Sequence, residues 1–318
     1  MSDKKKKEVE IQNKKTKKKK SKGSRLTSFL LVLIFVLGIG IMAYPTVSDW
    51  WNAKHATQAI ASYVEQVEHI DNTEKIKMLE EAKAYNRSLE TGVHFNLSEE
   101  AYAQYESILD ISGTGIMGYV QIPSISVNLP IYHGTDENVL QIATGHIAGS
   151  SFPIGGEGTH AVISGHRGLP SAKLFTDLDK LIPGDIFIVS VLGQQVTYQV
   201  DQIHIVLPDE VNDLAIEKEK DYMTLVTCTP YGVNSHRMLV RGHRIDNIEG
   251  ESEILVTADA KRVSATIVMF CIAVPLILLA MLVSLIVSPR KRTKNAEKKI
   301  LEELEKSFQL GGDGDEKK

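Results

Sequence analysis

Two long uncharged runs near the ends of the chain limit what it can fold into more than any other feature. Residues 26–44, "LTSFLLVLIFVLGIGIMAY", carry no charge over nineteen positions, about the length needed to cross a bilayer core of roughly 30 Å. Residues 263–289 form the second run, which contains "IVMFCIAVPLILLAMLVSLIV" and is followed at once by "RKRTK". Both read as membrane spans, because an uncharged stretch of that length exceeds an ordinary core helix. Twelve Lys/Arg against three Asp/Glu fill residues 1–25. Basic flanks resist translocation, so both termini are expected in the cytoplasm and residues 45–262 outside. "MAYPTVSDW" lacks a small-x-small cleavage site, which favours an uncleaved anchor over a signal peptide. A basic arm that abuts a span reads as a topology signal and an anionic-lipid contact, not as a nucleic-acid site.

The near-neutral total of −4 hides opposite parts: the external segment has 15 Lys/Arg against 30 Asp/Glu. At about 215 residues it is long enough for one hydrophobic core. Of the two cysteines, Cys271 falls inside the second run, which leaves Cys228 as the external thiol. A lone external cysteine pairs with another chain, is buried and inert, or is functional.

Apolar residues at Ala59, Ile60, Tyr63, Val64, Val67 and Ile70 keep one helix face from about 49 to 70, and a second helix is expected over about 73–85. Ser98, followed by Glu99 and Glu100, reads as the cap of a third helix that runs to about 109. From Tyr119 the pattern changes to strands: Ile125, Val127, Leu129 and Ile131 alternate with polar positions and with Pro130, which suggests an edge or a bulge. Further strands are expected at 161–164, 185–191, 195–206, 223–228 and 236–241, with a hairpin turn at Gly193 and Gln194. Several short strands separated by turn residues predict a closed, largely antiparallel β-barrel. The spacing shows no phosphate loop, and neither a metal site nor a cofactor is expected.

A thiol becomes a good nucleophile only as thiolate, so a functional Cys228 needs a cation or a base beside it. In "TLVTCTPYGVNSHRMLVRGHR" the loop after Cys228 leads to a strand that begins at His236 and Arg237. Alternation puts only one of those two on the face of Cys228. His166 in "ISGHRGLP" is another candidate base, yet by spacing alone it differs little from His146, His160, His236 or His243.

These two segments together, "ISGHRGLPSAKLFTDLDKL" and "TLVTCTPYGVNSHRMLVRGHR", resemble the sortase family, and within it the pilus-assembling class C enzymes of Gram-positive bacteria. The resemblance extends over roughly residues 45–288. It implies an eight-stranded sortase β-barrel, with N-terminal helices and two flanking transmembrane helices. Position by position it implies Cys228 as nucleophile, His166 as its acid/base partner and Arg237 as the cation against the bound substrate. The implied partners are pilin or surface-protein substrates with LPXTG-like sorting signals, cleaved between Thr and Gly, and an acceptor amine from a pilin lysine or a cell-wall precursor.

The expected organisation is a basic arm (1–25), a span (26–44), a helical stalk with a possible lid region (45–110), the catalytic barrel (111–262), a second span (263–289) and a cytoplasmic tail (290–318). Class C sortases often carry an Asp-Pro-aromatic lid anchor before the barrel. This chain has Val93, His94 and Phe95 in that region instead, so a lid stays an open question at this point. Three other readings remain beside pilus assembly: anchoring of proteins to a wall precursor, a cysteine hydrolase, and a silent peptide-binding scaffold.

Overall fold

The computed structural model describes residues 2–89, 97–111, 113–247, 275–276, 278–279 and 300–303, with side chains from residue 30 onward apart from 31 and 32. The chain divides into two units, residues 1–43 with 264–318, and residues 44–263. Helix α1 (Ser2–His69) includes the first apolar run. Among the described residues it is the one helix long and apolar enough to cross a membrane, by its composition from Leu33 onward, which suggests membrane anchoring. The second run, 263–289, lies outside the described residues except for four helical positions. So do residues 90–96, where a lid would begin.

Within the second unit, three helices precede eight strands. Ser98 caps α3 (Glu99–Ser107) by accepting from the Ala101 N–H, as the sequence predicts, and α2 (Asn72–Ser88) is capped by Asp71, which accepts from the Thr73 N–H. The buried stripe of α1 is Ala56, Ile60, Tyr63 and Val67, the three-to-four spacing of one helix face. Each large apolar side chain buried there contributes roughly 1.5–3 kcal/mol. Tyr63 also fixes the helix by polar bonds, donating to the Met117 carbonyl at 2.8 Å and accepting from the Leu192 N–H at 2.9 Å. Asn86 of α2 pairs its amide with both backbone groups of Phe152.

The strands are β1 (Ile116–Ile122), β2 (Val127–His133), β3 (Thr144–His146), β4 (Thr159–Ser164), β5 (Ile186–Val191), β6 (Gln194–Val206), β7 (Asp221–Thr229) and β8 (His236–Ile245), with a one-turn helix α4 (Glu137–Leu140) before β3. They close in the order β1-β2-β3-β4-β7-β8-β6-β5. Two pairs, β2 with β3 and β4 with β7, are parallel, and the rest are antiparallel. The expected eight-stranded, largely antiparallel barrel is therefore present.

Three local expectations differ from it. The alternating run around residue 125 is not one strand: Pro123–Ile125 form a 3-10 turn and Ser126 takes a left-handed φ of 56°, so the chain reverses there into a β1–β2 hairpin. Pro130 is at neither an edge nor a bulge of its own, since a closed barrel has no edge. It pairs with Tyr119 on one side and precedes the β3 ladder, which starts at Ile131, on the other. The β5–β6 turn is Leu192–Gly193 rather than Gly193–Gln194, with φ of 51° and 79°, the two positive values of a type I′ hairpin.

Beneath α3, Tyr105, His146 and Phe152 stack in a fully buried cluster. His146 Nε2 faces the Ser151 carbonyl at 2.8 Å and its Nδ1 faces the Tyr105 hydroxyl at 2.9 Å, partners that a neutral imidazole satisfies by donating through Nε2. Burial lowers its pKa from the ordinary 6.5 to about 3. In that window the unfolded chain binds a proton that the folded chain refuses, so stability is full above about pH 6.5 and falls as the pH drops towards 3, by roughly 1.4 kcal/mol per pH unit. His146→Gln is expected to make the pH dependence of urea unfolding between pH 6 and 4 shallower by about that amount. An unchanged slope would contradict a neutral His146.

Candidate active site

Strand β7 carries Cys228 one residue before its end and lies between β4 and β8 in the barrel order. On the β8 side, Cys228 is directly opposite Arg237, while His236 is opposite Thr229. Opposed residues share a face with Cβ atoms about 4.5–5.5 Å apart. Of the two neighbours that the sequence offers, the register thus selects Arg237. His236 is held instead by Ser235, whose hydroxyl is 2.9 Å from its Nδ1.

On the β4 side the strands run parallel, with Ser164 level with Val226. The Gly165 N–H donates to the Val226 carbonyl at 3.0 Å, and the Thr227 hydroxyl donates to the Gly165 carbonyl at 2.7 Å. His166 follows in the loop that leaves β4, and the next residue, Arg167, donates through Nη1 to the hydroxyl of Thr229, the residue after Cys228, at 3.2 Å. The three thus form a row at one end of the barrel: Cys228 opposite Arg237 on neighbouring strands, and His166 in the loop that leaves β4 on the other side of β7.

Local chemistry supports that row. At Gly165 a Cβ would sit 2.7 Å from the Phe175 ring, so the chain passes here only without a side chain. Gly168, at φ +79°, turns the loop beyond His166 against the Tyr231 ring of the β7–β8 loop. The His166 carbonyl accepts from the Phe175 N–H at 3.1 Å. Nε2 of His166 is buried without a hydrogen bond and lies 3.7 Å from Oε2 of the exposed Glu137 at the start of α4. The Arg237 guanidinium donates through Nη1 to the carbonyls of Asn234 and His236, at 3.2 and 3.1 Å, which keeps its charge at the mouth of the β7–β8 loop. Cys228 itself is half-buried and its thiol is free. A cation and a histidine on either side of a free thiol are what covalent acyl chemistry requires.

The remaining histidine candidates lie elsewhere. His146 belongs to the buried Tyr105 cluster. His160 is buried between the Ala215 carbonyl, at 2.9 Å, and the Thr224 hydroxyl, at 2.7 Å, and its pKa is lowered by that burial. His243 sits near the far end of β8, 3.9 Å from Asp201. That end of the barrel also holds a cleft of about 630 Å³ lined by Asp221, His243 and Arg244, a strand's length from Cys228 and outside the chemistry. Among the described residues no group of His, Cys, Asp or Glu is arranged to hold a metal ion.

Two neighbours of the row have no place in the sequence reading. Glu137 has no local signature, because 29 residues and two strands separate it from His166. Arg167 is visible in "GHRGLP", but only the fold shows that its side chain reaches Thr229 and Asp179.

Comparison with known proteins places this geometry among its relatives. A family model described as the sortase domain matches residues 120–245. Sortase D of Bacillus subtilis is 30% identical over 131 residues, which cover 40% of this chain and 63% of that protein; the chain thus spans somewhat less than two thirds of that relative. A crystal structure of sortase C1 from Streptococcus agalactiae is 54% identical, with a TM-score of 0.59 over 60% of this chain and all of that one. A lid mutant of sortase A from Corynebacterium diphtheriae is 39% identical, with a TM-score of 0.54 over 57% of this chain and all of that one.

Proposed function

The chain belongs to the sortase family, in its class C branch, and from that premise we propose that it is a membrane-anchored cysteine transpeptidase that polymerises pilin subunits. Residues 45–262, with the catalytic barrel, lie outside the membrane, and both termini lie in the cytoplasm. The observation that supports the reading best is Cys228 opposite Arg237 on β7 and β8, with His166 in the loop leaving β4, tied to β7 beside the cysteine by Arg167.

In the first half-reaction the Cys228 thiolate attacks the threonine carbonyl carbon of an LPXTG-like sorting signal. The carbonyl oxygen gains negative charge, and the Arg237 guanidinium stabilises it beside the thiol. The C–N bond to glycine breaks, His166 gives its proton to the departing amine, and a thioester to Cys228 remains. In the second half-reaction the ε-amine of a pilin lysine attacks the thioester carbonyl. Its proton passes to His166, the Cys228 sulfur leaves as thiolate, and an isopeptide bond is formed. The histidine is thereby returned to its starting state and the thiol to its reactive one.

Intact-mass spectrometry of the full chain in detergent micelles, mixed with an LPXTG-type peptide, tests this directly. The expected result is an acyl adduct on Cys228 that a lysine-bearing pilin acceptor converts into a ligated product. An adduct resolved by a wall-precursor amine instead would identify an anchoring sortase, resolution by water alone a hydrolase, and no adduct across several sorting signals a binding scaffold. Arg237→Ala is expected to lower kcat/KM for adduct formation about 10²–10³-fold, the usual cost of removing one oxyanion donor, with Arg237→Lys recovering part of it. A loss below threefold would remove Arg237 from that role.

A further inference from the structure

The backbone ladder between β4 and β7 stops before it reaches the reacting groups. Its last strand register is Ser164 with Val226, and the final backbone rung is the bond from the Gly165 N–H to the Val226 carbonyl. Beyond that point the β4 chain turns away as a loop while β7 goes on through Cys228 and Thr229. Two side-chain bonds bracket the gap. Below it, the Thr227 hydroxyl donates to the Gly165 carbonyl. Above it, Nη1 of Arg167, the residue after His166, donates at 3.2 Å to the hydroxyl of Thr229, the residue after Cys228.

The Arg167 guanidinium is itself braced. Its Nη2 pairs with the Asp179 carboxylate, in the 3-10 turn that closes the same loop. The Arg167 side chain is only 9% exposed and Thr229 5%, so solvent competes little for the bond between them, whereas Asp179 is 39% exposed. A planar guanidinium presents well-separated donors in a rigid fork and holds both partners in one geometry, whereas an ammonium offers its donors from a single nitrogen. Nearby, the Gly168 N–H donates to the Thr176 hydroxyl and the Phe175 N–H to the His166 carbonyl. The loop is thus tied internally by several bonds, whereas Arg167 ties it to the strand of the cysteine.

We propose that Arg167, braced by Asp179, is a positioning residue that sets the spacing of His166 from Cys228 through its bond to Thr229. This rests on the transpeptidase reading above, in which His166 exchanges protons with groups reacting at Cys228. Proton transfer of that kind works over hydrogen-bond distances, and a misplacement of about 1 Å costs on the order of 10²-fold. Loss of the tie leaves the loop folded by its internal bonds and frees the histidine to drift from the reacting atoms. The effect belongs in the rate of the chemical step rather than in peptide affinity.

The test compares Thr229→Val, Thr229→Ser, Arg167→Lys and Arg167→Met with wild type, all as full chains in detergent micelles. Acylation by an LPXTG-type peptide is followed by rapid-quench mass spectrometry across peptide concentration, and each variant is also melted. Thr229→Val is the decisive variant, because it keeps the size of the side chain and leaves the Arg167–Asp179 pair intact. Its saturating acylation rate is expected to fall at least tenfold, with KM within about twofold and the melting temperature close to wild type. Thr229→Ser, which restores the hydroxyl, is expected within about threefold of wild type. Arg167→Lys is expected to behave like Thr229→Val, and Arg167→Met to be worse in rate and somewhat less stable.

A wild-type rate in Thr229→Val overturns the proposal while leaving the transpeptidase reading intact. Equal losses in Thr229→Val and Thr229→Ser, tracking a fall in melting temperature, also overturn it, since that is the signature of a merely structural contact. A wild-type chain that forms no adduct at all overturns the transpeptidase reading, and the positioning role with it.

Discussion

Cys228→Ala yields neither an acyl adduct nor a ligated product at any sorting-signal concentration, while a labelled sorting-signal peptide still binds. The substitution removes only the sulfur, so the barrel keeps its form: Cys228 is half-buried and lies next to the end of its strand. Nucleophilic catalysis has no fallback here, because neither neighbour in the row, His166 nor Arg237, is placed to form the same covalent intermediate. Cys271, the other thiol of the chain, is retained in the variant and serves as an internal control. Intact-mass spectrometry decides the matter: an adduct surviving in Cys228→Ala would move the chemistry to another residue and discard the row.

His166→Ala lowers the rate of adduct formation by about 10²–10⁴-fold, the range of one general acid–base group. Alkylation of Cys228 by a small neutral reagent persists, since the thiol is free in the absence of substrate. The contrast between the two reactions carries the argument. An alkylating reagent brings its own leaving group, whereas the glycine amine leaves only when it is given a proton. A loss of less than threefold in acylation, with alkylation unchanged, would assign the proton transfer to another group, and Glu137, 3.7 Å from His166 Nε2, would be the first to examine.

Much of the barrel is legible in the order of residues, because period-two alternation and helix caps act over a few positions. The cap at Ser98, the strands of β5 to β8 and the helical face of α1 all follow from such short-range rules. The errors also have local causes. Alternation around Ile125 imitates a continuous strand, although Ser126 in the left-handed region breaks it. Leu192 adopts a positive φ that its side chain disfavours, so the turn appears one residue late when judged by the more obvious Gly193. Strand β3, with three residues, is too short for any periodicity to register.

The site divides along the same line. Without a family resemblance, Cys228 is the lone thiol between the two apolar runs, with three possible fates, and His166 is one histidine among several. What distinguishes them is position in space. His146 and His160 are buried among bonds that fill both their nitrogens, whereas His166 keeps a nitrogen without a partner. No sequence spacing expresses that difference.

From its own residues the sequence determined the two apolar runs, the acidic segment between them with its single thiol, and the choice between His236 and Arg237 as a question of alternation. Those features depend on composition and on contacts between near neighbours, which are written directly in the order of residues. The tertiary structure alone decided that β4 lies beside β7 in parallel, so that the loop carrying His166 leaves it near a cysteine 62 positions later, and that Arg167 reaches across to Thr229. Parallel pairing needs a crossover of many residues, and its register is selected by the packing of the whole barrel, so no short window of the chain contains it.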